Sequence, residues 1–222
     1  MAPSDAFHRI ARRTRRRPHD PASRHGAGLC GRYATIAPAG ASAALRHRPS
    51  QEFRLPSGAV LRPAGPQDAG AARAMHGRCS PETLARRYHG PVGEADRYLA
   101  HLLSPRFGHT VAVQAPGGEL VALGHLLWDG EETEVALLVE DAWQRRGLGA
   151  AMLNHLVALA EREGCESVYA VTQASNAGMI SAMLGTGLPL ERQLAAGTLV
   201  LTARLVPPAV PSRARPASGG RR

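Results

Sequence analysis

The sequence predicts a mixed α/β domain, in the α+β sense, built on one sheet flanked by helices. Three observations carry this reading. Strand-like and helical periodicities follow one another along residues 53–206. Three strand-like runs within that stretch are joined by tight turns, which makes them antiparallel neighbours. A further run then feeds a glycine-containing turn that opens an amphipathic helix, and a strand, a short helix and a last strand close the pattern.

The order starts near Phe53. Phe53-Arg54-Leu55 and Ala59-Val60-Leu61-Arg62 are short strand-like runs around the turn residues Pro56-Ser57-Gly58. Pro66-Gln67-Asp68 reads as a helix start, with Ala71, Ala72, Met75 and Cys79 on one stripe. Ser80 caps the next helix with Pro81 at its first position, and Leu84 and Tyr88 lie four apart on one face. A third helix is expected over Gly93 to Leu103. Thr110 to Gln114 and Leu120 to Trp128 then flank the hairpin turn Pro116-Gly117-Gly118, and Glu134 to Val139 follows Asp129-Gly130 as the third strand of the set. Leu148, Met152, Leu156 and Leu159 mark one face of the long helix, which ends before Gly164. Val168 to Thr172, Ala177 to Leu184 and Leu199 to Leu205 complete the series as strand, helix and strand.

Charge divides the chain differently. The formal net charge of +9 comes from the ends. Residues 1–50 hold 10 Arg against Asp5 and Asp20, and the last stretch adds Arg213, Arg215, Arg221 and Arg222 without an acid. The body, 51–206, holds 13 Arg against 16 acids. Segments 1–52 and 207–222 are rich in Pro, Gly, Ala and Arg and cannot bury much apolar surface, so they read as disordered, solvated arms in preference to a nucleic-acid contact. The 27 basic residues are all Arg. Hence no lysine of this chain is open to self-acetylation.

Several classes fall away on composition. Cys30, Cys79 and Cys165 are odd in number, widely spaced and without metal-ligand spacing, which argues against a disulfide framework or zinc site and fits a reducing cytoplasm. The ten His include no pair spaced for a metal on a helix, and His155 reads as a surface or packing residue. No run approaches the ~20 apolar residues of a membrane span, and the Arg-rich start leads into no apolar signal core.

The chemistry concentrates in Glu134 to Ala150. A buried strand that runs into a glycine turn at a helix N-terminus is an anion site, because the first helical turn offers unpaired N–H groups and the positive end of the dipole. Glycine lets a diphosphate approach that backbone. A dinucleotide fingerprint fails, since Met152 stands where its third glycine belongs. A Walker loop fails for want of Lys.

Gln144-Arg145-Arg146-Gly147-Leu148-Gly149, with Val139 and Trp143 upstream, resembles the coenzyme-A motif Q/R-x-x-G-x-G/A of the GNAT N-acetyltransferases, and the resemblance spans about residues 57–206. It implies a mostly antiparallel central sheet with helices on both faces and acetyl-CoA as acyl donor, without a metal. By the same resemblance Gln144, Arg145, Arg146, Gly147, Leu148, Gly149 and Ala150 hold the pyrophosphate. Leu137, Leu138 and Val139 form a strand splayed at a bulge that pairs with the pantetheine arm, and the Val139 N–H polarises the thioester carbonyl. Glu134 is then the general base, because an attacking ammonium must first lose a proton. Glu131 and Glu132 are placed in the preceding turn. Asn176 matches a residue that contacts pantetheine and equally matches a plain helix N-cap. Residues 177–206 lack the Tyr that protonates the leaving thiolate in many relatives, which leaves water, Tyr88 or Tyr169 for that step.

The implied activity is N-acetyl transfer to a primary amine by direct attack in a ternary complex. Leu61-Arg62-Pro63, Pro66-Gln67-Asp68 and Ser80-Pro81-Glu82-Thr83-Leu84 resemble the first elements of bacterial protein-lysine acetyltransferase domains, so a protein lysine is the leading acceptor and a small amine the second. The acidic body implies a weakly negative cleft that attracts either cation. A GNAT-fold module that binds acyl-CoA without turnover is the alternative outside enzymes, and the strand carboxylate Glu134 speaks for the enzyme.

Overall fold

The computed structural model describes residues 52–88, 95–129 and 132–205, with backbone alone for 95–97. Most of the expected arms 1–52 and 207–222, and Glu131, lie outside the described residues. The strands are β1 (Phe53–Arg54), β2 (Val60–Ala64), β3 (Gly108–Gln114), β4 (Leu120–Asp129), β5 (Glu132–Val139), β6 (Ser167–Gln173), β7 (Leu190–Ala195) and β8 (Thr198–Arg204). The helices are α1 (Ala69–Arg78), α2 (Pro81–Tyr88), α3 (Ala95–Leu102), α4 (Leu148–Arg162) and α5 (Ala177–Leu184), with single 3-10 turns at Pro66–Asp68 and Asp141–Trp143. The strands form one sheet in the order β1-β2-β3-β4-β5-β6-β8-β7. Every neighbouring pair is antiparallel except β5 and β6. A parallel pair needs a crossover, and α4 supplies it.

Helices cover both faces. On one, α4 presents Leu148, Met152, Leu153 and Leu156 to Val111, Val135 and Val168. Gly124 in β4 lets that helix come close: a Cβ there would lie 3.1 Å from Leu156 Cδ1 and 3.2 Å from Val111 Cγ2. On the other, Met75, Leu84 and Leu99 of α1 to α3 pack on Ala112, Leu123 and Leu138.

Ser80 caps α2 as its sequence predicts, accepting the Thr83 amide at 3.2 Å. Glu132, expected in a turn, instead begins β5 opposite Asp129. Strand β7 has no counterpart in the sequence reading. Its burial alternates weakly, Leu194 is exposed, and it pairs only with β8 across a turn in which Ala196 and Gly197 both take positive φ. An Ala in the place where Asn or Gly usually marks such a turn hides the hairpin.

The feature that shapes the site is the β5–β6 junction. These strands register at Glu134 with Tyr169 alone. Toward their carboxyl ends they part, which opens a crevice where parallel strands commonly receive ligands. The expected bulge is not the cause: β5 pairs with β4 without a register shift from Glu132 to Val139, and the bulge of this region sits between Val113 and Gln114 of β3. On its other edge β6 pairs with β8 along its full length.

Beneath α1 to α3 lies a buried polar row. Thr110 donates its hydroxyl to the Leu102 carbonyl at 2.6 Å and so accepts from His125 Nδ1 at 3.0 Å. Burial, with the charge of Arg87 behind it, drives the His125 imidazole well below its usual range, so the folded chain holds it neutral. The unfolded chain binds a proton near pH 6.5 and the folded chain does not, so stability is full above that pH and falls as the pH drops through it. A thermal-melt series from pH 7 to 5 should show the decline, approaching ~1.4 kcal/mol per pH unit for this one proton. His155, whose burial lowers it as well, contributes with the same sign. In His125→Asn the slope should flatten, and an undiminished slope would assign it elsewhere.

Candidate active site

A cavity of about 920 Å³ runs along the crevice between β5 and β6. Its walls bring together Glu134, Leu137, Leu138, Val139, Gln144, Arg145, Gly147, Gly149, Ala150 and Asn176, ten residues that the sequence reading selected.

Backbone polarity follows from the register. The Glu140 amide bonds the Val121 carbonyl at 3.0 Å, which makes that pair the hydrogen-bonded kind. Alternation along an antiparallel ladder then gives Leu138, Ala136 and Glu134 their bonds to β4. Leu137 and Val139 therefore direct their N–H and C=O groups the other way, into the gap left by β6. These groups can pair with an extended polar arm or with a developing oxyanion.

At the end of the gap the chain turns sharply. Arg145 and Gly147 take φ of 59° and 79°, and Gly147 stands at the N-cap of α4 with no side chain capping the helix. The first helical bond runs from the Ala151 amide to the Gly147 carbonyl. The amides of Leu148, Gly149 and Ala150 thus have no intrahelical acceptor. A Cβ on Gly147 or Gly149 would meet nothing within 4 Å, so the space above these amides is open. A diphosphate fits such a cradle on charge and on shape.

Three expected contacts take another form. Gln144 lines the cavity with its amide nitrogen engaged by the protein, Nε2 donating to the Val139 carbonyl and to Thr83 Oγ1, both at 3.1 Å. Arg146 is outside the cavity lining and lays its guanidinium 4.9 Å over the Trp143 ring. Leu148 buries its side chain in the core and offers the turn only its amide. The turn is instead braced by Asp141, which accepts from the Ser80 amide, the Ser80 hydroxyl and the Thr83 hydroxyl, all at 2.8 Å. Burial disfavours its charge, yet these three donors outweigh it and hold the carboxyl below the usual carboxylate range. Nothing around Asp141 in the sequence points to this clamp, because its partners lie about sixty positions earlier.

Asn176 is a helix cap that also borders the cavity. It caps α5 by accepting from the Met179 amide at 3.2 Å and donates to Thr172 Oγ1 at 2.9 Å, while lining the cavity. Asn176→Ala should cost about 1 kcal/mol of stability from the lost cap, read as a lowered melting temperature. A variant that melts like the wild type would show the cap to be idle.

At the opposite end Glu134 shares the wall with Asp129, Phe107, Trp128, Tyr98, Tyr88 and His101. Asp129 was read only as a turn residue. The Tyr169 hydroxyl donates to it at 2.8 Å, which stations a second carboxylate near the β5 start. The expected negative cleft is not found, since Arg86, Arg87 and Arg145 line the same cavity as Asp129 and Glu134. The acids of the body are spent elsewhere, as Glu140 on Arg78 and Asp68 on Arg62. Among the described residues no cluster of His, Cys, Asp and Glu suits a metal ion, and no helix is long and apolar enough to cross a membrane.

The family model described as the acetyltransferase (GNAT) family matches residues 78–185, from the end of α1 to the end of α5. Residues 78–185 thus carry the GNAT acetyltransferase family's domain. An acetyltransferase of Pseudomonas aeruginosa is 29% identical over 128 residues, covering 54% of this chain and 69% of that one. Among solved structures, the GNAT domain of PAT from S. lividans superimposes with a TM-score of 0.63 at 25% identity, over 70% of this chain and 96% of that domain. The ribosomal-protein-S18-alanine N-acetyltransferase of Escherichia coli shares the fold at a TM-score of 0.52 and 18% identity, over 66% and 94% of the two chains. PaiA N-acetyltransferase of Thermoplasma acidophilum, solved with coenzyme A, does so at 0.56 and 13%, over 66% and 98%. The mixed sheet and its flanking helices thus match the fold of these GNAT neighbours.

Proposed function

We propose that residues 53–206 form an acetyl-CoA-dependent N-acetyltransferase that moves an acetyl group to a primary amine by direct attack within a ternary complex. The observation that carries the reading is the convergence on one cavity of the uncapped α4 N-terminus, the edge of β5 that faces away from β4 and the carboxylate of Glu134.

In this reading the amides of Leu148, Gly149 and Ala150 bind the diphosphate, and Arg145 adds a positive charge at the turn. Leu137 and Val139 pair their backbone with the pantetheine arm, and Asn176 supports its far side. The Val139 N–H donates to the thioester oxygen as negative charge develops on it, a contribution of about 3 kcal/mol in comparable sites. Glu134 accepts a proton from the bound ammonium and so frees the lone pair that attacks. Among the described residues no cysteine lines the cavity. Burial, reinforced by Asp141 and Glu140, pushes the nearby Cys79 thiol up to about 11, which leaves it protonated and a poor nucleophile at neutral pH. Direct transfer is favoured over an acyl-cysteine intermediate for that reason.

For the acceptor we favour a protein lysine. Phe107 and Trp128 are exposed at the Glu134 end, where an aliphatic stem could lie against them with its amine reaching inward. The sequence likeness of the first helices to protein-lysine acetyltransferase domains points the same way. A small amine with an alkyl stem is the second reading. The free thiols Cys79 and Cys165 suit a reducing cytoplasm, which we take as the compartment. The test is calorimetric titration with acetyl-CoA followed by a thiol-release assay over lysine peptides, polyamines and amino acids. Absence of saturable binding by folded protein would refute the proposal.

A further inference from the structure

His76 is buried, with 4% of its surface exposed, and the chemistry above makes no use of it. Its Nδ1 lies 2.6 Å from the Ala72 carbonyl oxygen, one turn back on α1, and its Nε2 lies 2.5 Å from the Tyr88 hydroxyl. A carbonyl only accepts, so Nδ1 carries the ring proton. Nε2 of the neutral ring is then an acceptor, and Tyr88 donates its O–H to it. The two bonds make one directed chain, from Tyr88 O–H through the imidazole to the Ala72 carbonyl.

Tyr88 ends α2 and lines the active-site cavity. Its ring stacks on Tyr98 at 6.0 Å, and the Arg87 guanidinium lies 4.9 Å over it. Helix α2 packs on both β5 and β6, the walls of the crevice. Helix α2 starts at Ser80, tied to Asp141 just beyond the end of β5, and runs along β5 from there to Tyr88. Tyr88 thus faces one cavity with the carboxylate that receives the amine and the Val139 amide that faces the thioester, with His76 behind it.

We propose that Tyr88 and His76 form a proton relay that carries one proton from the attacking nitrogen to the departing sulfur. The proposal rests on the acetyl-transfer reading. Glu134 removes the first proton from the ammonium, and attack leaves a second, acidic N–H on the nitrogen of the tetrahedral adduct. Tyr88 Oη takes that proton as its own moves to His76 Nε2: an N–H bond breaks, the phenolic O–H is renewed, and the imidazolium is held by the Ala72 carbonyl. When the carbon–sulfur bond breaks, the flow reverses. Nε2 returns its proton to Tyr88, which protonates the thiolate. The pair ends as it began, the amide is neutral, and coenzyme A leaves as its thiol. Tyr88 is the catalytic residue, and His76 acts through it. This fills the step for which α5, β7 and β8 offer no tyrosine.

The full chain is assayed with saturating acetyl-CoA and the amine it turns over fastest among lysine peptides, polyamines and amino acids. Tyr88→Phe and His76→Gln should each lower kcat by about 100-fold, in the range of a lost proton-transfer group. Acetyl-CoA affinity and the KM for the amine should stay within about twofold, and the double variant should be no slower than the slower single one, because the residues act as a unit. Nitrogen-15 spectra should report His76 as the Nδ1–H tautomer, with its Nε2 resonance shifted in Tyr88→Phe. If His76→Gln fails to fold, Tyr88→Phe and the spectra still decide. Wild-type kcat in Tyr88→Phe, multiplied losses in the double variant, or an Nε2–H tautomer would each overturn the relay and leave acetyl transfer standing. A wild-type chain that binds acetyl-CoA yet acetylates no amine overturns both.

Discussion

Gly149→Asp is expected to fold as well as the wild type and to bind acetyl-CoA at least about 100-fold more weakly. Gly149 is the second residue of α4, its φ is ordinary for any residue, and a Cβ there meets nothing within 4 Å. An aspartate in the first turn interacts favourably with the helix dipole, by about 0.3–1 kcal/mol. Stability should therefore hold or rise slightly. The same carboxylate, however, occupies the open space above the amides of Leu148 to Ala150 and sets a negative charge against a diphosphate. Like charges so placed cost several kcal/mol. Gly147→Asp is a poorer probe, because φ of 79° makes any side chain strained and confounds folding with binding. A thermal melt beside a calorimetric titration separates the two quantities. Wild-type affinity in a folded Gly149→Asp chain would remove the diphosphate from this turn.

Glu134→Gln should keep acetyl-CoA affinity and lower kcat by about 100-fold or more at neutral pH. The amide preserves the shape of the side chain and its place opposite Leu127 and Tyr169, but cannot accept the ammonium proton. A lysine-like amine has a pKa near ~10.4, so the free-base fraction grows tenfold with each pH unit below that value. The deficit of the variant should shrink accordingly as the pH is raised. Steady-state rates from pH 7 to 9.5, with binding followed in parallel, would show it. Loss of affinity in proportion to turnover would demote Glu134 to a binding or structural residue, and Asp129, held by Tyr169, would be the next carboxylate to substitute.

The elements that were legible in the sequence are those whose signals are complete within a few residues. Ser80-Pro81 announces α2 because a hydroxyl cap and a proline at the first position act locally. Pro116-Gly117-Gly118 marks its hairpin, and Gly147-Leu148-Gly149 the opening of α4, for the same reason. Strand β7 escaped because its stability comes from pairing with β8, with little in its own Leu-Glu-Arg-Gln-Leu-Ala pattern to reveal a buried face.

The sequence by itself thus determined the mixed α/β class, the family likeness and the segment from Glu134 to Ala150, since a strand, a glycine turn and a helix start follow from neighbouring residues. Tertiary structure alone decided how that segment is used. The β5–β6 crevice exists because two strands distant in sequence register at a single pair, Glu134 with Tyr169, and part beyond it. The turn is rigid because Asp141 meets Ser80 and Thr83 across 61 and 58 positions. Tyr88 reaches His76 because two helices pack on one face of the sheet. Periodicity reports which face of an element is apolar, and it carries no information on which polar side chains of distant elements will meet. That depends on packing and register, which belong to the folded chain.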